Sequence, residues 1–465
     1  MNRRRSAVFS LVSFLVTALL VIVSILSTAG SGLAWWSWPP ADNTHRNLTQ
    51  GAIAQIPQDQ YPDVTTSFGG DIADWTSNVT DDQRAHANHS DRNDGPVGYW
   101  WKLALSQYGV FEFTGSGDPL STPRPGAYYY LALIVHLTED MGVPAHAYNI
   151  LHSQSSEDLD SMEQVAFASY RQANPVISLY DAGKDPLQCY YLSREHTLAL
   201  TSPPYWRLYY NNDGTCGISY GIPAGHYWEY CGAPDIFPEK WEDTTSTERE
   251  VISSLLGSSG GYAGGVLMAA SRSLPPLVRD LTIGRGSDAG TDSESGSDPP
   301  SAPVVDPQRG TGIRFTILEN RSQEVYVTIK AINSDGAEYI VTAQDRSDQD
   351  NSASKDIVNS EDSQDSTDCW DNKEVSLRRS LGTRQLPWEK LIVLADWKGT
   401  TAQGQLPEGL YTLKVLVKDP DDNEVNEIYP EINTDSNTRN DTERQFRIGS
   451  QDRQDMAGLQ KPPNH

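Results

Sequence analysis

Apolar residues recur at every third or fourth position in "LTQGAIAQI", "GYWWKLALSQYGVF", "GAYYYLALIVHLTEDMG", "SEDLDSMEQVAFASYRQA" and "TEREVISSLLGSSGGYAGGVLMAASRSL". That spacing predicts helices. In the last of them, Thr247 followed by Glu250 predicts a capping box. Its small residues predict close packing, with the pair Gly260 and Gly261 as a place for a kink. Residues 172–243, rich in Tyr, Trp, Gly and Pro, predict loops. Residues 284–306 are small, polar and acidic with no apolar pattern, and predict a linker. Beyond it the period drops to two. "RFTILEN", "EVYVTIKAI", "EYIVTAQ", "KLIVLADW", "GLYTLKVLVKD" and "RQFRIG" predict strands of an antiparallel β-sandwich over 307–450. An acidic insert at 344–372 predicts a long solvated loop, and residues 451–465 a disordered tail. The expected fold class is multidomain: a mainly α-helical domain over 35–283, then the sandwich.

The first residues carry a different pattern. "MNRRR" is cationic, a long apolar run follows, and "GLA" stands before Trp35 as a small-x-small cleavage site, so residues 1–34 predict an export signal. The apolar run is also long enough to span a bilayer, which keeps an uncleaved anchor as the alternative. Export would allow one disulfide among Cys189, Cys216 and Cys231, with the pair open. The net charge of −26 disfavours tight binding of duplex nucleic acid, since one polyanion repels another. It does not bar a small phosphodiester from a metal in a cleft.

Histidines are the scarce chemical resource, nine in 465 residues, and six of them fall between positions 45 and 152. His136 and Asp140 lie four apart on a helical stripe with Tyr129, Ala132 and Leu133, so both point inward. A buried carboxylate beside an imidazole is costly unless something satisfies both, and a cation does. Gly142 and Pro144 then end the helix and return His146 toward the pair. His152, Asp160 and Glu163 follow, while His45, His86, His89, Asp71 and Asp74 lie upstream. Imidazoles mixed with carboxylates are the donors of zinc sites. No C-x-x-C spacing and no H-E-x-x-H occurs, which sets aside a cysteine zinc site and a metalloprotease.

"HLTEDMGVPAHAYN", residues 136–149, resembles the signature of bacterial zinc-dependent phospholipases C, H-Y-x-[GT]-D-x-x-x-P-x-H-[PA]-x-N, and the wider superfamily that includes the fungal single-strand-specific nucleases. His136, Asp140, Pro144, His146, Ala147 and Asn149 match; Leu137, Glu139 and Gly142 depart. The resemblance implies a mostly helical domain with up to three zinc ions. One ion would take the amino group and carbonyl of a mature N-terminal Trp35 together with His45. His136 and Asp140 would serve metal, with Asp140 bridging, alongside Asp74 and His89, for which His86 is the alternative. His146, His152 and Glu163 would hold another ion, with Asp160 in reserve where the family has a histidine. Asp74 is the carboxylate implied to orient the attacking water.

The implied function is exported, zinc-dependent phosphodiester hydrolysis of the phospholipase C kind, with a phospholipid or other phosphodiester as substrate and contact with a membrane surface. A single-strand nuclease is the alternative within the superfamily, and a catalytically degenerate, metal-stabilised surface protein the alternative outside it. Near the C-terminus, Trp397, Gly399, Gly404, Leu406, Gly409 and Tyr411 resemble a flagellar hook-capping-type immunoglobulin-like domain. That resemblance implies turns at the glycines and packing by the tyrosine.

Overall fold

A computed structural model describes residues 44–77, 96–106, 108, 126–147, 173–201, 241–284, 302–345, 368–380, 386–423 and 443–448. The segments predicted as an export signal (1–34) and as a tail (451–465), and most of the helix predicted over 156–173, lie outside these residues. Helices fill the N-terminal half and β-sheets the C-terminal half.

The helical unit comprises α1 (Thr44–Gln55), a π-helical turn (Asp63–Ser67), α2 (Gly69–Thr76), α3 (Pro96–Ser106), α4 (Gly126–Asp140), the one-turn α5 (Pro144–Ala147), α6 (Pro186–Leu200) and α7 (Ser246–Ser273). The axis is α4, whose fifteen residues are all buried. A helix apolar on every side, as "AYYYLALIV" is, must be surrounded; α2, α3, α6 and α7 pack around it. No helix among the described residues is long and apolar enough to cross a membrane.

The longest helix, α7, runs unbroken over 28 residues despite its glycines. A segment without regular secondary structure, residues 174–180, lies along it. A Cβ at Gly257, Gly261 or Gly265 would stand 2.5, 2.2 or 2.6 Å from the carbonyl oxygens of Val176, Ser178 and Tyr180. The four-residue repeat of bare positions makes a groove for chain rather than a kink. Tyr180 seals it by donating its N–H to the Gly261 carbonyl at 3.2 Å. The capping box at the head of α7 uses Thr245 and Glu248 instead of Thr247 and Glu250. Both pairs have the right spacing in "TTSTERE", but Thr245 is the residue with extended backbone, as an N-cap requires.

The sandwich strands are β1 (Leu277–Gly284), β2 (Val304–Val305), β3 (Thr311–Glu319), β4 (Glu324–Asn333), β5 (Glu338–Ile340), β6 (Thr342–Asp345), β7 (Asp368–Cys369), β8 (Lys373–Ser376), β9 (Arg378–Arg379), β10 (Trp388–Trp397), β11 (Thr400–Thr401), β12 (Gly404–Gln405), β13 (Gly409–Lys418) and β14 (Glu443–Ile448). One sheet orders β1-β3-β10-β6-β7 with β9 beside β10; the other orders β2-β14-β13-β4-β5 with β8 beside β4. Pairing is antiparallel except between β2 and β14. Strict alternation, as in β3 and β13, sends Ile313, Phe315, Ile317, Leu413, Val415 and Val417 into the shared core.

Residues 186–200, within the stretch 172–243 read as loops, form the helix α6, because Asp185 caps it by accepting from the Leu187 and Gln188 N–H groups and Pro186 opens it. In the sandwich, three further features differ from the pattern read in the sequence. The first sandwich strand, β1, lies upstream of the acidic linker and pairs with β3. "EYIVTAQ" divides at Val341: β5 joins β4 in one sheet and β6 joins β10 in the other. The acidic insert ends in a core residue, since Trp370 is fully buried and donates its N–H to the Val341 carbonyl at 3.0 Å. Trp397, Leu406 and Tyr411 are buried around the β11–β12 hairpin, where Gly399 and Gly404 take positive φ.

The two halves meet through a polar junction. Asp63 accepts hydrogen bonds from Ser271 Oγ (2.7 Å), Tyr128 OH (3.0 Å) and Asn320 Nδ2 (3.1 Å), the last from just beyond β3. The turn "DPDDN" after β13 joins the junction: Asn423 donates to the Arg272 carbonyl (2.6 Å) and accepts from Lys184 Nζ (2.8 Å). Asp421 pairs with Arg321. Leu277 and Leu386 are buried within the helical core, so the junction is apolar as well as hydrogen-bonded.

Candidate metal centre

Two helices and one carbonyl build the centre. His45 stands on the second residue of α1, and His136 and Asp140 stand one turn apart at the C-terminal end of α4. All three side chains are almost sealed from solvent, at 2%, 2% and 0% exposure. The imidazoles lie side by side with ring centroids 4.1 Å apart and planes tilted by 31°. His45 Nε2 is 3.2 Å from Asp140 Oδ1, and His136 Nε2 is 3.3 Å from Asp140 Oδ2. One ligand atom from each residue falls within 4.8 Å of the others. Two imidazole nitrogens and a carboxylate oxygen at that separation are donors of the kind that would hold a metal such as zinc. A buried His-His-Asp group able to hold a metal ion is therefore present.

The other side of each ring is also held. His136 Nδ1 lies 2.9 Å from the carbonyl oxygen of Thr76 at the end of α2. A carbonyl only accepts, so Nδ1 donates and Nε2 is the nitrogen turned to Asp140. His45 Nδ1 lies 2.8 Å from Glu139 Oε2. Glu139 is fully buried and its Oε1 accepts from Thr49 Oγ1 at 2.7 Å.

Burial by itself lowers the His45 pKa. The hydrogen bonds and charges of Asp140 and Glu139 outweigh it and raise the group to about 10 in the metal-free protein. Burial likewise pushes the Glu139 carboxyl up, against the opposing pull of His45 and Thr49. A divalent cation would answer the same need as that proton, which is to balance two buried carboxylates.

The helix ends as its sequence predicts. The Gly142 and Val143 N–H groups close the last turn onto the Glu139 and Asp140 carbonyls at 2.8 Å each, and Pro144 opens α5. A Cβ on Gly142 would strike Ser259 Oγ at 1.7 Å, so this turn presses against α7. His146 sits on α5, 5% exposed, and is not part of the three-residue group. Asp74 is on α2, 52% exposed, and its Oδ1 pairs with Arg46 Nη2 at 2.9 Å. Trp35, His86, His89, His152, Asp160 and Glu163 lie outside the described residues.

The sequence reading missed Glu139 and Thr49. The signal was present: Glu139 is three residues from His136 and Thr49 four from His45, spacings that place each on the same helical face. The cysteines are also clearer. Cys189 forms no disulfide; it is buried against Gly265, and burial, then Asp185 and Asp181, push its thiol up to about 12. Cys216 and Cys231 lie outside the described residues.

Comparison of the chain with protein-family models, with curated proteins and with solved structures found no match.

Proposed function

We propose that the chain is an exported zinc-dependent phosphodiester hydrolase, phospholipase C-like in its reaction, with its metal held by His45, His136 and Asp140. The observation that carries this reading is the convergence of those three buried donors from α1 and α4, 91 and 95 residues apart for His45 with His136 and Asp140, in the interior of the helical unit. The donor set suits zinc better than magnesium or calcium, which prefer oxygen alone. When bound, such a cation supplies Lewis-acid polarisation of a phosphoryl oxygen and an acidified water.

The chain's own residues do the rest. Asp140 divides its two oxygens between the imidazoles. The Thr76 carbonyl fixes the His136 ring. Asp74, exposed and paired with Arg46 beside His45, is the carboxylate proposed to orient the attacking water rather than to bind metal.

A second reading rests on a separate observation. The three donors are nearly closed to solvent, which suits a structural ion that ties α1 to α4 in a surface or binding protein. Both readings are tested together. Zinc per chain is measured in the purified protein, which is then assayed on phosphatidylcholine, single-stranded DNA and a simple phosphodiester. Zinc with turnover of any of these supports the hydrolase, and zinc without turnover supports the structural ion. No bound zinc, or zinc retained in both His136→Ala and Asp140→Asn, rejects the metal assignment.

A further inference from the structure

We propose that Glu139, anchored by Thr49, is a positioning residue that presets His45 for metal by holding its Nδ1–H. The inference rests on the metal reading above but concerns residues that the reading does not need.

An imidazole can offer either nitrogen to a cation, and the hydrogen bond on the other nitrogen decides which. Here that bond is built. Glu139 Oε2 is 2.8 Å from His45 Nδ1, and a carboxylate accepts the N–H found there. The carboxylate is itself fixed, since its other oxygen takes the Thr49 hydroxyl at 2.7 Å. Thr49 Oγ1 in turn lies 3.2 Å from Thr76 Oγ1, and the backbone carbonyl of that same Thr76 holds His136 Nδ1. One continuous polar shell, Glu139–Thr49–Thr76, therefore grips the outer nitrogen of both rings. It turns both Nε2 atoms inward to Asp140.

Consecutive residues share the work on His45. Neighbours on a helix project about 100° apart, so Glu139 reaches Nδ1 while Asp140 faces Nε2. The ring is held between them. Glu139 adds a second buried negative charge that a divalent ion, with Asp140, brings to neutrality. An apolar residue at 139 would do neither, and an amide would keep the hold on Nδ1 alone.

The test uses the full chain with zinc, and with cobalt(II) as a spectroscopic probe. In the zinc-loaded protein, nitrogen-15 shifts of His45 are expected to show Nδ1 protonated and Nε2 coordinated. Glu139→Ala is expected to weaken metal binding roughly 10–100-fold and to alter the cobalt ligand-field spectrum. Glu139→Gln, whose side-chain oxygen can still accept from Nδ1, is expected to keep the spectrum and to recover most of the affinity. Coordination of His45 through Nδ1 would overturn the proposal. So would a folded Glu139→Ala protein with wild-type affinity and spectrum. Should Glu139→Ala not fold, the nitrogen-15 shifts and Glu139→Gln decide. If the wild type binds no metal sensitive to His136→Ala, the metal reading itself fails and this inference falls with it, an outcome distinct from metal binding that ignores Glu139.

Discussion

At the scale of single residues, the carboxylates of the helical unit divide by environment. Asp140 and Glu139 are sealed between α1 and α4, whereas Asp74 stands half in water against Arg46. An exposed pair of that kind contributes roughly 0–1 kcal/mol to stability, so the role proposed for Asp74 is separable from folding. Asp74→Asn is expected to keep the full metal content and melting temperature while lowering turnover about 100-fold or more, the size of a lost general base. Unchanged turnover would remove Asp74 from the mechanism, and lost metal would make it a ligand. Asp140→Asn should behave oppositely. Metal content, read by elemental analysis, is expected to fall to background, because the remaining amide oxygen is a weak donor beside two imidazoles.

Among the elements, α7 shows how a composition that argues against a helix can serve one. Gly costs up to about 1 kcal/mol relative to Ala in a helix interior, and α7 carries five. Three of them recur every fourth residue because the backbone of residues 176–180 lies against that face, closer than any Cβ permits. Gly261→Ala places its methyl 2.2 Å from a backbone carbonyl, an atom that cannot swing away. The propensity gain is then outweighed by overpacking of about 1–3 kcal/mol. The expected result is a lower melting temperature by calorimetry. Gly98→Ala on α3, where nothing lies within 4 Å of the added methyl, is the control expected to leave it unchanged or raised.

At the scale of the whole molecule, the joint between helices and sandwich is acidic as well as buried. Glu319 at the end of β3 is fully buried. Burial first, and then the charges of Asp419 and Asp63, raise its pKa from 4.5 to about 8, against the pull of the Arg321 and Ser322 N–H groups. The folded state therefore holds a proton that the unfolded chain has released between those values. By linkage the contribution is complete below about 4.5, declines as pH rises, and is lost through about 8. Each pH unit inside the window costs up to about 1.4 kcal/mol. Glu319→Gln mimics the protonated carboxyl. Denaturation at pH 6 and pH 9 is expected to show the wild type weakening across the interval and the variant weakening less. Equal losses in both would place the pH dependence elsewhere.

Much of this was legible along the chain. Period-three-and-four stretches became α1, α3, α4 and α7, and period-two stretches became β3, β4, β10, β13 and β14, because local backbone geometry sets which faces a repeat can bury. The pairing of His136 with Asp140 was legible for the same reason, being a matter of one helical turn. What only the tertiary structure decided lies at long separation. It brought His45 to that pair across 91 residues, gave Glu139 a partner in Thr49 and so a role, and set Asp63 against Asn320 from the other half of the chain. It also chose Thr245 over Thr247 as the cap and divided "EYIVTAQ" between two sheets. Periodicity reports which side of an element turns inward. Which residue waits on the other side depends on how the elements pack, and no local pattern encodes that.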